Sequence, residues 1–170
     1  AFMFTILAFV RRNLAVCGAA LVIAGGGGGG GSGGGAPPPP ITRGEAHRFL
    51  TQASFGPDAA SIQRVIDVGY EAWIDEQLRL PATKQLDYMR GLPQPNTQMD
   101  RQDAWFQAAI RGSDQLRQRM AFALGEIWVV SEQSALSQFP QALAYYHDLL
   151  ADNAFGNYRT LMERVTLSPE

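Results

Sequence analysis

The sequence predicts an all-α fold, an irregular multi-helix domain of about seven to eight helices in antiparallel hairpins. Three observations predict it. After Ile41, apolar residues recur at i, i+3, i+4 and i+7, the spacing that lines one face of an α-helix. Gly, Pro, Asn and Ser fall between these runs, where they end one helix and cap the next. No run alternates apolar and polar residues as a half-buried strand would.

The elements follow in chain order. Thr42 and Glu45 form a T-x-x-E capping box, opening a helix to about Ser54 with Ala46, Phe49, Leu50 and Ala53 on one face. Gly56-Pro57 separates it from a second helix, which carries Ile62, Val65 and Ile66 and stops at Gly69. Tyr70, Trp73, Ile74 and Leu78 mark a third, ended by Pro81, and residues 83–90 form a short fourth. "GLPQPNTQ" is a loop. Asp100 is the expected cap of a helix to Arg111 bearing Trp105, Ala108 and Ala109, and Ser113 the expected cap of the next. "DQLRQRMAFALGEIWVV" reads as the longest apolar helix, apolar nearly all round in its second half and therefore central. A helix from Phe139 to Asp152 has Pro140 in its first turn and Leu143, Tyr146, His147 and Leu150 on one face. Tyr158, Leu161, Met162 and Val165 mark another. Ser168-Pro169-Glu170 has the pattern of a helix start, so the domain is expected to continue past the C-terminus of this chain.

Residues 1–40 differ in kind. Arg11-Arg12 precede the uncharged apolar run Leu14 to Ala24. That run is shorter than the roughly 20 residues a membrane-spanning helix needs, and has the length of a signal-peptide core. Val22 and Ala24 suit the small-residue cleavage site, so cleavage is expected after Ala24. A lipid anchor is disfavoured, because Val16 stands before Cys17 where a small residue is wanted, and Gly25 rather than Cys follows "LVIA". "GGGGGGGSGGGAPPPP" supplies a flexible tether and a stiff polyproline spacer. The expected organisation is therefore a signal or hydrophobic segment at 1–24, a disordered linker at 25–40 and an all-α domain at 41–170. The expected location is outside the cytoplasm, periplasmic, at the cell surface or extracellular, with membrane contact only through an uncleaved N-terminus.

Composition excludes several function classes. Of 170 residues, 46% are hydrophobic, enough for a core. The formal net charge is −2 and no basic tract follows Arg12, which argues against nucleic-acid partners. A single cysteine rules out an internal disulfide framework, and only two histidines are available as imidazole ligands. No phosphate loop, nucleotide fingerprint or nucleophile elbow is present, so no cofactor is implied.

Three stretches carry a resemblance. "AHRFLTQASFGPDAASIQRVIDVGYEAWIDEQLRLP", "DQLRQRMAFALGEIWVVS" and "AFGNYRTLMERVTLSPE", in that order from Ala46 to Glu170, resemble the N-terminal part of the DUF1800 family of uncharacterised bacterial proteins. The resemblance implies an exported helical protein longer than this chain, with a downstream segment similar to N-E-N-x-A-R-E-L. It implies no established reaction. It also implies a partner by association, an exported protein of the DUF1501 type.

Candidate chemistry rests on few residues. Glu126 interrupts the apolar run Met120 to Val130; buried, it is a general acid or base or half of a structural ion pair with Arg119, and otherwise it marks an exposed helix edge. His147 lies on an apolar face beside Asp148, as a base oriented by a carboxylate or as a satisfied core histidine. Asp148 and Asp152 share a face with Asn153 nearby; a weak calcium site is the functional reading and a solvated helix end the structural one. No metal site is assigned, and His47 reads as a surface residue. Phe55-Gly56-Pro57 and Phe155-Gly156-Asn157 read as matching turns with a glycine at positive φ. Trp73, Trp105 and Trp128 have core spacing, with sugar stacking as the alternative should any be exposed. Three functions follow from these readings: a structural, binding or assembly role at the envelope; an exported enzyme completed by sequence beyond residue 170; or a glycan- or polymer-binding module.

Overall fold

The computed structural model describes residues 39–133 and 135–168. The expected signal segment, almost all of the linker and the Pro169-Glu170 helix start lie outside the described residues. Within them the fold is all-α, with eight α-helices, one short 3-10 helix and no strand. No described helix is long and apolar enough to cross a membrane.

Helix α1 (Arg43–Ala53) starts at the predicted capping box, with Thr42 N–H donating to the Glu45 carboxylate at 2.9 Å and Glu45 N–H to Thr42 Oγ1 at 3.3 Å. Helix α2 (Ala59–Val68) has a second capping box, Asp58 with Ser61. Gly69, at φ +84°, both ends α2 and opens α3 (Tyr70–Arg79). An L side chain there would be strained, so the abrupt change of direction requires glycine. Phe49 of α1 packs against Tyr70 and Trp73 of α3, with ring centroids 4.8 and 5.2 Å apart.

Helices α4 (Gln85–Arg90) and α5 (Gln98–Arg111) come next. Helix α5 is capped by Thr97 rather than Asp100, and Asp100 is the reciprocal partner of that box. Helix α6 (Gln115–Gly125) starts after Asp114 rather than Ser113. Asp114 does not cap its own helix because its carboxylate accepts from Thr83 N–H and from Gln118 Nε2 at 2.8 and 3.0 Å. The 3-10 helix Ala135–Gln138, α7 (Pro140–Asn153) and α8 (Tyr158–Thr166) complete the fold.

Further expectations are corrected. Helix α6 ends at Gly125 and does not run through Val130. The residues beyond it, Ile127, Trp128, Val129 and Val130, are β-branched or aromatic and favour extended backbone. The chain leaves α6 through a turn, with Ile127 N–H and Trp128 N–H donating to the Leu124 carbonyl at 3.0 and 2.8 Å, and then a strap; Trp128 and Val130 rest against the core, while Ile127 and Val129 are 69% and 74% exposed. The central helix is instead α7, which is buried nearly all round and shares one core cluster with α6 and α8 and another with α4 and α5. Of the two matching turns, only Gly56 has positive φ; Gly156 does not. The turns match in another respect. Each phenylalanine lies beneath an arginine of α6, Phe55 under Arg119 at 5.5 Å and Phe155 under Arg117 at 4.6 Å.

Asp148 holds the start of α4. Its two carboxylate oxygens accept from Gln85 N–H at 2.8 Å and Leu86 N–H at 3.1 Å. Lys84, at the cap position itself, makes no side-chain cap. Asp148→Ala leaves one buried and one part-buried donor unpaired and is expected to lower unfolding free energy by about 2–4 kcal/mol in urea denaturation. Asp152→Ala, which removes only the exposed partner of Lys84, should cost about 1 kcal/mol or less. Equal losses in the two variants would contradict this assignment.

Candidate functional site

Helices α5, α6 and α7 and the strap enclose a cleft of about 380 Å³, near the small end of the range typical of small-molecule sites. Helical spacing decides which side chains reach it. Helix α5 presents Arg101, Gln102, Trp105 and Phe106 from one face. Helix α7 presents Leu143, Tyr146, His147 and Leu150, the face expected from the sequence, now as the cleft wall. Phe122 and Gly125 come from α6. The turn and strap after α6 contribute Glu126, Trp128, Val130 and Glu132.

Three of the lining aromatics form one group, and Trp128 stands apart from it, 6.2 Å from Tyr158. Trp105 meets Phe106 edge to face at 4.9 Å and 80°, and lies 6.1 Å from Phe122. Phe55 braces Trp105 and Phe122 from outside the cleft, at 5.6 and 5.8 Å. Trp105 and Trp128 are both partly exposed, Phe106 is 54% exposed, and Trp73 is buried in the core.

Polar contacts set the strap. Tyr146 Oη donates to the Trp128 carbonyl at 3.0 Å. Arg101 pairs with Glu132, and its Nε donates to Gln98 Oε1 at 2.9 Å. Gln98 Nε2 in turn donates to the Ser137 carbonyl at 3.0 Å. The start of α5 thus holds both the strap and the chain leading into α7.

The candidate residues separate. Glu126 and His147 line the same cleft, and Asp148 does not. Glu126 is exposed rather than buried, and no ion pair joins it to Arg119, whose guanidinium lies over Phe55 and Phe122. His147 is largely buried; burial first, and then the Arg101 charge, push its pKa from 6.5 down to about 4. Its Nδ1 is buried without a hydrogen bond among the described residues, and Asp148, its neighbour in sequence, is bonded to Gln85 and Leu86 instead. Asp148 is committed to α4; burial pushes its pKa up, against the lowering effect of its two backbone hydrogen bonds and Lys84. Asp152 pairs with Lys84, and His47 is on the surface. Among the described residues no three His, Cys, Asp or Glu side chains gather as a metal site would require.

A neutral imidazole whose conjugate acid has a pKa near 4 is a weak proton acceptor. What the cleft offers is recognition: half-open aromatic faces, a guanidinium–carboxylate pair, an amide and a free-standing carboxylate. A protein-family model described as "Protein of unknown function (DUF1800)" matches residues 48–170. The chain belongs to the DUF1800 family. Helices α2 to α8, and with them the whole cleft, fall inside the DUF1800 match. No curated protein and no solved structure gives a significant match. Sequence reasoning missed Arg101, Gln102, Phe106 and Glu132 of the lining; the available signal was Arg101 one turn before Trp105 on the same face of α5.

His147 gives the cleft a pH signature. The unfolded chain binds the histidine proton near 6.5 and the fold only near 4, so stability is lost as pH falls through that window. Asp148 acts in the opposite sense, its raised pKa favouring the fold at lower pH, and it cancels when parent and His147→Gln are compared. Between about pH 7 and pH 4 the parent should lose up to about 3 kcal/mol relative to the variant in urea denaturation. Parallel pH profiles would mean that His147 is not held neutral by the fold.

Proposed function

We propose that this DUF1800 chain is an exported protein that binds a glycan at the bacterial envelope through the α5–α6–α7 cleft. The observation that carries the reading is the lining. Partly exposed Trp105, Phe106 and Trp128 offer flat apolar faces, and Arg101, Gln102, Glu126 and Glu132 surround them with planar hydrogen-bonding groups. A sugar ring has one apolar face and a rim of hydroxyls, which such a lining complements. A core role alone would favour burying Phe106. Export is supported by the Arg11-Arg12 pair, the apolar run to Ala24 and the tether that follows.

Two measurements test this. On an array of envelope and extracellular polysaccharides, the parent should bind at least one glycan class, and Phe106→Ala should weaken that binding about tenfold without changing the thermal midpoint. Binding indifferent to Phe106 and Trp105 would move the activity away from the cleft. For export, mass spectrometry of protein recovered from cells should find Gly25 at the mature N-terminus, outside the cytoplasmic fraction. An intact N-terminus in the cytoplasm would overturn it.

A further inference from the structure

The charge of the cleft selects among glycans. Besides the Tyr146 phenol, its ionisable lining residues are Arg101, Glu126, Glu132 and His147. The one fixed cation, Arg101, is already paired with Glu132. His147 carries no charge near neutral pH. Glu126 is different: it stands exposed at the edge of the cleft, at the point where α6 gives way to the strap, and no described residue pairs with it. A ligand carboxylate, sulfate or phosphate would have to displace Glu132 from Arg101 and sit in the field of Glu126, two unfavourable steps. A neutral sugar would leave Glu126 unused. A cation gains twice, from Glu126 and from the faces of Trp105, Phe106 and Trp128, since ring faces attract cations.

Resting on the glycan reading above, we propose that the cleft recognises an amino sugar bearing a protonated primary amine, the ammonium at Glu126 and the ring face on the Trp105–Phe106 pair. A lysine side chain has the same ammonium. It has no hydroxyls for Arg101, Gln102 and Glu132, which outnumber what one ammonium can use, and so the sugar is the better match.

Isothermal titration of the full chain tests this with four probes: a short glucosamine oligosaccharide, its N-acetylated counterpart, an oligogalacturonate and oligolysine. The glucosamine oligosaccharide should bind, the N-acetylated form about tenfold more weakly, and the oligogalacturonate and oligolysine more weakly still. Glu126→Gln should lower glucosamine-oligosaccharide affinity about five- to tenfold and leave the thermal midpoint unchanged, because Glu126 is exposed. Equal or tighter binding of the N-acetylated form or the oligogalacturonate, weakened by Phe106→Ala, would overturn the amine preference and leave the glycan reading standing. Tighter binding of oligolysine than of any sugar would overturn the sugar assignment. Binding of no sugar, with the array also blank, would overturn both.

Discussion

The fold depends on two buried aspartates that grip the connection between α3 and α4. Asp114 is fully buried and Asp148 nearly so. Between them they take the backbone N–H groups of Thr83, Gln85 and Leu86. Taking carboxylates out of water is costly unless they are hydrogen-bonded, and here the partners are main-chain donors that would be stranded without them. Neither side can be exchanged for an apolar group without penalty on the other. Helix α4 has six residues, too few to hold itself together in water. Its start is capped across the fold by α7 instead of by its own chain. Arg117 ties the same region further, donating to the Leu80 carbonyl at the end of α3 and to the Ala151 carbonyl in the last turn of α7, both at 3.1 Å. A guanidinium at two helix C-termini meets two favourable dipole ends. The Gln85 side chain is the exception: it is 1% exposed with neither amide atom hydrogen-bonded, and nothing in the structure explains it.

These contacts fix α6 and α7 relative to each other on the side away from the cleft. Small residues then let their backbones approach: Ala121 on α6 and Ala151 on α7, in one core cluster, are essentially fully buried. On the opposite side the spacer is aromatic. Phe122, Trp105 and Phe55 form one cluster, with Arg119 stacked over Phe55 and Phe122. Small residues on one side and large rings on the other leave a wedge between α5, α6 and α7, and the strap forms its remaining wall. Adjacent residues of α7 serve the two sides, Asp148 toward α4 and His147 toward the cleft.

Much of the fold was legible from the sequence because its signals are local. A capping box such as Thr42/Glu45 and a glycine such as Gly69 act within a few residues, and those helices begin and end as expected. The misplaced starts of α5 and α6 have different causes, one local and one distant. Asp100 and Ser113 look like caps, but Thr97 competes successfully for the first position, and the neighbouring Asp114 is diverted to Thr83, 31 residues away in sequence. Local pattern carries no information about a partner that distant. Asp148 was misread for the same reason: beside His147 in sequence it looked like that residue's partner, but its partners are Gln85 and Leu86. The cleft face of α7 was legible as an apolar stripe. Its use was not, because exposure of Trp105 and Phe106 depends on what packs opposite them.

The strap is where local preference and packing disagree. Continued as a helix, Glu126 to Val130 would have scattered its apolar residues around the axis. As a turn followed by a strap, it seats Trp128 and Val130 and leaves Ile127 and Val129 in water, forgoing about 1.5–3 kcal/mol for each of those two side chains. Nothing among the described residues covers them. What the turn and strap gain is a wall: Glu126, Trp128, Val130 and Glu132 all line the cleft, with Arg101 holding Glu132 and the Tyr146 hydroxyl holding the Trp128 carbonyl. A domain that only had to be stable would have little use for two carboxylates and an indole directed into the same wedge. Family membership supplies no function for these residues, so any function has to be argued from the site itself. A local choice that exposes apolar surface to assemble a polar and aromatic wall is the kind of departure from best packing that functional sites show.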